Sequence, residues 1–189
     1  MKPPPHPHTR LLAASVLFVC VLDQLSKALV REHMALGERI ALLPGVLELV
    51  HIENRGIAWG LLTGNPLRLP FVTFLSLTTF LVMLGWFRRL RSDERLLAWS
   101  LALVLAGATG NFIDRLLYRR VTDFVEMSVP GALGSLAQTL LGSSSWAVFN
   151  IADIAITGGL VLFFWLAFRL RDEASDPETK EPSLEVGTT

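Results

Sequence analysis

LLAWSLALVLAGATGNFIDR, residues 96–115, runs uncharged and largely apolar through Gly110 and then turns abruptly polar. A helix needs about 20 apolar residues to cross the roughly 30 Å hydrocarbon core of a bilayer. Leu96 to about Phe112 is one of four such stretches; the others are Leu11–Val30, Leu67–Phe87 and Phe149–Phe168. The chain has 189 residues, 51% of them hydrophobic, and a mean hydropathy of +0.47. That is too apolar for an ordinary soluble domain. The expected fold class is an all-α membrane protein, with four transmembrane helices and a small extracytoplasmic β element.

Charge placement gives the direction. Lys+Arg and Asp+Glu are equal at 17 each, so no bulk charge points to nucleic acid. Arg88, Arg89, Arg91 and Arg95 crowd the second connection, Arg169 and Arg171 follow the fourth span, and Lys2 and Arg10 precede the first. Short basic loops stay cytoplasmic, which puts both termini inside and loops 31–66 and 114–148 outside. The outer loops also carry Arg31, Arg39, Arg55, Arg115, Arg119 and Arg120, so the bias is one of density. One membrane domain is expected over 1–171. Residues 172–189, DEASDPETKEPSLEVGTT, read as a disordered cytoplasmic tail, and PPPHPH as a flexible start.

The first span carries no A-x-A-like exit and reads as a retained anchor. Val19 before Cys20 fails the small-residue requirement of a lipoprotein cleavage box. Cys20 is the sole cysteine, which excludes an internal disulfide and a multi-thiolate metal site; it reads as a small buried hydrophobe. In the outer loops, Val46–Glu53 after Pro44-Gly45 and Val121–Val129 before Pro130-Gly131 have strand character. GALGSLAQTLLGSSSW, residues 131–146, reads as an amphipathic surface segment or a mobile lid.

Ionisable residues inside membrane spans are costly and call for an explanation. Asp23 and Lys27 stand four apart on one helical face, a self-neutralising pair or a support for a site. Asn111-x-x-Asp114 closes the third span and Asn150-x-x-Asp153 opens the fourth, each placing an amide and a carboxylate on one face. Such residues cap helix ends well; two copies plus Asp123, a carboxylate within apolar Val121–Val125, favour a site. Two acids in a low-dielectric pocket share a proton, so one serves as base toward water and the other as acid toward a carbonyl. Spacing alone does not decide whether Asp123 pairs with Asp153 or with Asp114.

Five boxes in order resemble those of lipoprotein signal peptidase, the type II signal peptidase of bacteria. Asp23-Gln24-Leu25-Ser26-Lys27 resembles DQxxK, and Asn54-Arg55-Gly56-Ile57-Ala58-Trp59 resembles NxGxAF with Trp for Phe. Gly110–Arg115 resembles GNxxDR, Val121–Phe124 resembles VVDF with Thr122 for Val, and Phe149–Asp153 resembles FNxAD. The resemblance implies an aspartic endopeptidase of the inner membrane with Asp123 and Asp153 as catalytic dyad. Asn54, Gly56, Asn111, Asp114, Arg115, Asn150, Asp23 and Lys27 would bind substrate or hold the carboxylates. The implied substrates are diacylglyceryl-modified prolipoproteins, cut before the lipidated cysteine at the outer, periplasmic face by a monomer among membrane lipids. The cyclic peptide globomycin would inhibit, and no cofactor or metal is expected. The connection between Val129 and Phe149 is longer than the family's usual one, which leaves lid shape open.

Three rivals make different predictions. A Ser/Lys peptidase would need Lys27 as base; adjacent Ser26 points about 100° away on a helix, so the nucleophile would have to be a distant serine, and replacing Lys27 and Asp123 separately distinguishes the two. A metal-dependent head-group transferase would need ligands that His33 and His51, isolated in loops, do not group to supply. A transporter or assembly factor would cleave nothing.

Overall fold

The computed structural model describes residues 7–54, 67–141, 145 and 147–175. The chain order is α1 (Thr9–His33), β1 (Arg39–Leu43), β2 (Leu47–Asn54), α2 (Arg68–Phe87), α3 (Arg95–Tyr118), β3 (Val121–Met127), α4 (Gly131–Leu141) and α5 (Ile151–Ser175). Four of the helices, α1, α2, α3 and α5, are long and apolar enough to cross a membrane. Leu17, Phe18, Leu25, Phe74, Phe164 and Phe168 are exposed on them, as side chains facing lipid would be. The three strands form one antiparallel sheet in the order β1-β2-β3. Connectivity places the sheet where α1 and α3 end and α5 begins.

α3 is the central helix, packed against α1, α2 and α5. Ala98, Ala102, Ala106 and Gly110 recur every four residues along it and are buried. Small side chains let helix backbones approach closely where lipid offers no hydrophobic drive for packing. A methyl group on Gly107 would lie 2.3 Å from the carbonyl oxygen of Ala152, and one on Gly159 would lie 2.7 Å from that of Ser100. Ser100 uses the same closeness, its hydroxyl donating to Gly159 O at 2.9 Å.

Several elements depart from expectation. α3 does not stop near Phe112 but continues to Tyr118, where Arg119 takes a left-handed φ of 57° and its N–H returns to Arg115 O. The polar residues of its last turns face inward and find partners, so they do not end the helix. α5 starts at Ile151, two residues later than expected, and runs to Ser175, into the first positions of the expected tail. Residues 176–189 and the first six lie outside the described residues. β1 was not foreseen: RIALL is short and exposed throughout, so no burial period marks it. His33 and His51 are not loop residues. His33 closes α1, with its ring Nδ1 3.0 Å from Leu29 O. His51 is buried on β2 with Nδ1 2.9 Å from Met34 O. Within the 131–146 stretch, α4 forms a helix on which Leu133, Leu136 and Leu140 are exposed. Cys20 is half-buried, its thiol 3.7 Å from Ala106 O.

Candidate active site

The second half of α1 contributes Asp23, Gln24 and Lys27, all one turn apart or adjacent. Lys27 is completely buried; its ammonium donates to Asp23 Oδ2 at 2.8 Å and to Asn111 Oδ1 at 3.0 Å, and it is ion-paired with Asp114 Oδ2 at 3.2 Å. A buried cation enclosed by two carboxylates and an amide oxygen is neutralised, the condition under which burial is tolerable. Gln24 Nε2 adds contacts to Asp23 Oδ2, Asp114 Oδ1 and Gly110 O at 3.1–3.2 Å.

Each of the two structural acids ties a helix to another element. Asp23 Oδ1 accepts the Ala152 N–H at 3.0 Å, one of the donors a helix start leaves open. Asp114 Oδ2 accepts the Thr122 N–H at 3.0 Å, fixing β3 beside α3. Gly110 is required here, since a Cβ on it would stand 2.7 Å from Asp23 Oδ2.

This platform orients the next layer. Lys27 can only donate, so the Asn111 oxygen must face it, which leaves Asn111 Nδ2 to donate to Asp153 Oδ1 at 2.8 Å. Asn150 and Asp153 form a reciprocal cap at the start of α5. The Asp153 N–H donates to Asn150 Oδ1 at 3.1 Å, and the Asn150 N–H donates to Asp153 Oδ2 at 3.2 Å. With its oxygen occupied, Asn150 turns its amide to Asp123 Oδ1 at 2.7 Å and to Asn111 Oδ1 at 3.2 Å. The two Asn-x-x-Asp repeats thus differ in kind: one caps a helix, the other lies inside one. Both feed the same cluster.

Asp123 comes from β3. Asn54 pairs with Val121 across β2 and β3, so it shares a face with Asp123 on the diagonal, and its amide donates to Asp123 Oδ2 at 3.0 Å. Asp123 is 3% exposed. Burial pushes its carboxyl from 3.8 up to about 6; Asp153 acts in the same direction, against the amides of Asn54 and Asn150 and the charge of Lys27. The carboxyls of residues 123 and 153 therefore meet on one asparagine, Asn150. Asp114 is held by Lys27, Gln24 and Thr122, separate from that pair. Among the described residues, no three His, Cys, Asp or Glu side chains are grouped to hold a metal ion.

Of the site residues expected from sequence, Asp23, Lys27, Asn54, Asn111, Asp114, Asp123, Asn150 and Asp153 converge. Arg115 lies at the edge, its guanidinium donating to Asn111 O at 3.2 Å, and Gly56 lies outside the described residues. Arg31 was missed. Its guanidinium donates to Thr122 Oγ1 at 3.0 Å, lies 3.7 Å from Asp114 Oδ1 and sits 4.4 Å over the Tyr118 ring. The step of four from Asp23 through Lys27 to Arg31 was the available signal. Gln24, named in the sequence only as part of the first box, is a three-way tie.

Comparison with known proteins agrees with this architecture. A family model described as "Signal peptidase (SPase) II" matches residues 15–169. The chain is 41% identical over 154 residues to a lipoprotein signal peptidase of Geobacillus thermodenitrificans, covering 82% of this chain and 85% of that one. It is 37% identical over 158 residues to one of Desulforapulum autotrophicum, covering 82% and 90%. A bacterial membrane enzyme solved by the in meso method at 2.3 Å resolution superposes with a TM-score of 0.72 at 26% identity, over 92% of this chain and 95% of that one. With matching boxes, four apolar helices and a match across most of its length, the chain belongs to the signal peptidase II family, as a multi-pass membrane peptidase.

Proposed function

We propose that Asp123 and Asp153 are the catalytic dyad of an aspartic endopeptidase that removes signal peptides from diacylglyceryl-modified prolipoproteins, cutting before the lipidated cysteine. The observation that carries this reading is the meeting of the two carboxyls on Asn150 while every other buried acid of the cluster is committed to Lys27 or to backbone. The pair shares one proton. The ionised member takes a proton from water as its oxygen attacks the scissile carbonyl; the protonated member gives its proton to the carbonyl oxygen. When the tetrahedral gem-diol collapses, the C–N bond breaks, the new nitrogen takes up the proton gained from water, and one diol hydroxyl returns its proton to the other aspartate as the carboxyl forms. The dyad returns to its single-proton state. Asn54, Asn111 and Asn150 hold the carboxyls in register, and Arg115 stands at the edge, where a substrate carbonyl would enter.

The orientation supports the substrate class. Arg88, Arg89, Arg91 and Arg95 connect α2 and α3 at the end opposite the sheet, so the positive-inside rule turns that end to the cytoplasm and the dyad to the outer face of the inner membrane. There a lipidated cysteine and its peptide meet water. A Ser/Lys mechanism finds no support. Lys27 is held as a cation between two carboxylates, and the Ser26 hydroxyl donates to Asp23 O at 2.9 Å.

The test is cleavage by the purified chain of a diacylglyceryl-modified precursor beside its unlipidated form. Only the lipidated form should be processed, globomycin should block the reaction, and a chelator should leave it unchanged. Asp123→Asn and Asp153→Asn should each lower turnover on the order of 10³-fold or more while remaining folded and membrane-inserted. Normal turnover by either variant removes the dyad; loss of activity on chelation restores a metal mechanism.

A further inference from the structure

At the opposite end of the bundle a cleft of about 690 Å³ opens between α2, α3 and α5. Its walls are apolar: Trp86, Leu97, Leu101, Phe163, Leu166 and Ala167. Trp86 of α2 and Phe163 of α5 stack at 5.6 Å between ring centres and bridge the two helices. The mouth is charged, with Arg89, Asp93, Glu94 and Arg95 at its rim. The two acids are already engaged, Asp93 with the Arg91 guanidinium at 3.4 Å and Glu94 with the Arg91 N–H at 2.6 Å. The segment 88–95 carries four arginines against these two acids. The cleft therefore combines an apolar slot of ligand-binding size with a rim of two arginines and two acids on a segment, residues 88–95, whose net charge is +2. Leu97 and Asn111 are 14 helical residues apart on α3, roughly 21 Å at 1.5 Å per residue, so this is not part of the dyad's site.

We infer that the cleft binds an anionic phospholipid, one acyl chain against the Trp86–Phe163 wall and the phosphate at Arg89 and Arg95. The charge pattern selects this occupant. A basic peptide segment is repelled by the net positive charge of residues 88–95, and a free phosphate gains nothing from the apolar wall. Juxtamembrane arginines attract anionic lipid at the cytoplasmic surface, the surface to which the orientation proposed above assigns this end. The binding itself does not depend on the protease reading, because it is measured without substrate.

The experiment uses the full chain in detergent, titrated with phosphatidylglycerol or phosphatidylcholine, with retained lipid counted by native mass spectrometry. One phosphatidylglycerol should be held at least about tenfold more tightly than phosphatidylcholine. Arg89→Gln combined with Arg95→Gln should abolish that preference, at about 1 kcal/mol or fivefold per arginine, and leave phosphatidylcholine retention unchanged. Ala167→Trp, which fills the slot, should weaken both lipids. Inorganic phosphate at millimolar concentration should not displace the lipid. Equal retention of the two lipids by the unaltered chain would overturn the inference, as would full retention of phosphatidylglycerol by the double variant or its displacement by phosphate. Cleavage of lipidated precursor by both variants reports that they are folded, and the preference of the unaltered chain stands as a test without them.

Discussion

Asp123, buried on β3, holds its carboxyl at a cost to the fold. Its carboxyl titrates at about 6 in place of 3.8 because it is buried. Each unit is about 1.4 kcal/mol, so holding it ionised costs the folded state about 3 kcal/mol above pH 6. The folded state keeps this proton longer than the unfolded chain does. Stability from this group therefore falls as pH rises from about 4 through 6 and is level above. Asp123→Asn abolishes the titration, so its thermal midpoint relative to the unaltered chain should rise between pH 4 and pH 8. Part of the gain is lost, since the new amide must turn a hydrogen toward Asn54 or Asn150, both donors to this position. A constant difference across that range would show that the carboxyl is not the titrating group. The asparagines give a second prediction at this scale. Asn111→Ala and Asn150→Ala should each lower kcat/KM on the order of 10- to 100-fold, because displacement of a reacting group by about 1 Å can cost 10²-fold. Thr139→Ala is the control: its hydroxyl donates to Ser135 O within α4. Equal effects at all three positions would reduce the two asparagines to ordinary polar residues.

Between elements, the decisive contact is the approach of α3 to α5. Gly107 meets the backbone of α5 at Ala152 and Ile156, whereas among the described residues nothing lies within 4 Å of a methyl group added to Gly158 on α5. Gly107→Ala must push the helices apart, at a cost of about 1–3 kcal/mol for overpacking. The displacement should lower activity as well, since α5 carries Asp153 and α3 carries Asn111. Gly158→Ala should be neutral or stabilising by up to about 1 kcal/mol through helix propensity. Thermal midpoints in detergent read both, and a Gly107→Ala protein as stable as its Gly158→Ala counterpart would mean that the helices do not touch there. Lys27 belongs to this scale as well: paired with Asp23 on its own helix, it joins α1 to α3 through Asp114 and Asn111. Lys27→Met would strand two buried carboxylates and should destabilise by about 3–5 kcal/mol.

For the molecule as a whole, the proposed direction in the membrane rests on the distribution of arginines. With Cys20 replaced by Ser, a cysteine introduced at Ser135 on α4 should react with a membrane-impermeant thiol reagent in intact spheroplasts. One introduced at Ser92, in the connection of α2 to α3, should react only after permeabilisation. Both positions are exposed, so a reversed labelling pattern would invert the topology rather than report burial. The dyad would then face the cytoplasm, and the proposed substrate class would go with it.

The sequence by itself determined the four spans, because a bilayer demands about 20 apolar residues per crossing and nothing else in a chain of this size explains four such runs. It also marked the polar residues of the site, since each carboxylate within a span is too costly to be idle. It left β1 unread, because an exposed five-residue strand carries no period. It ended α3 too early, because Asn111 and Asp114 look like caps when their inward partners are unseen. Pairing was decided only by tertiary structure. Residues 54, 123 and 150 are distant in the chain, and their meeting depends on a β2–β3 register and on the glycine-lined approach of two helices. Lys27 looks like half of a local ion pair in the sequence; in the fold it is the fixed charge that turns Asn111 toward Asp153.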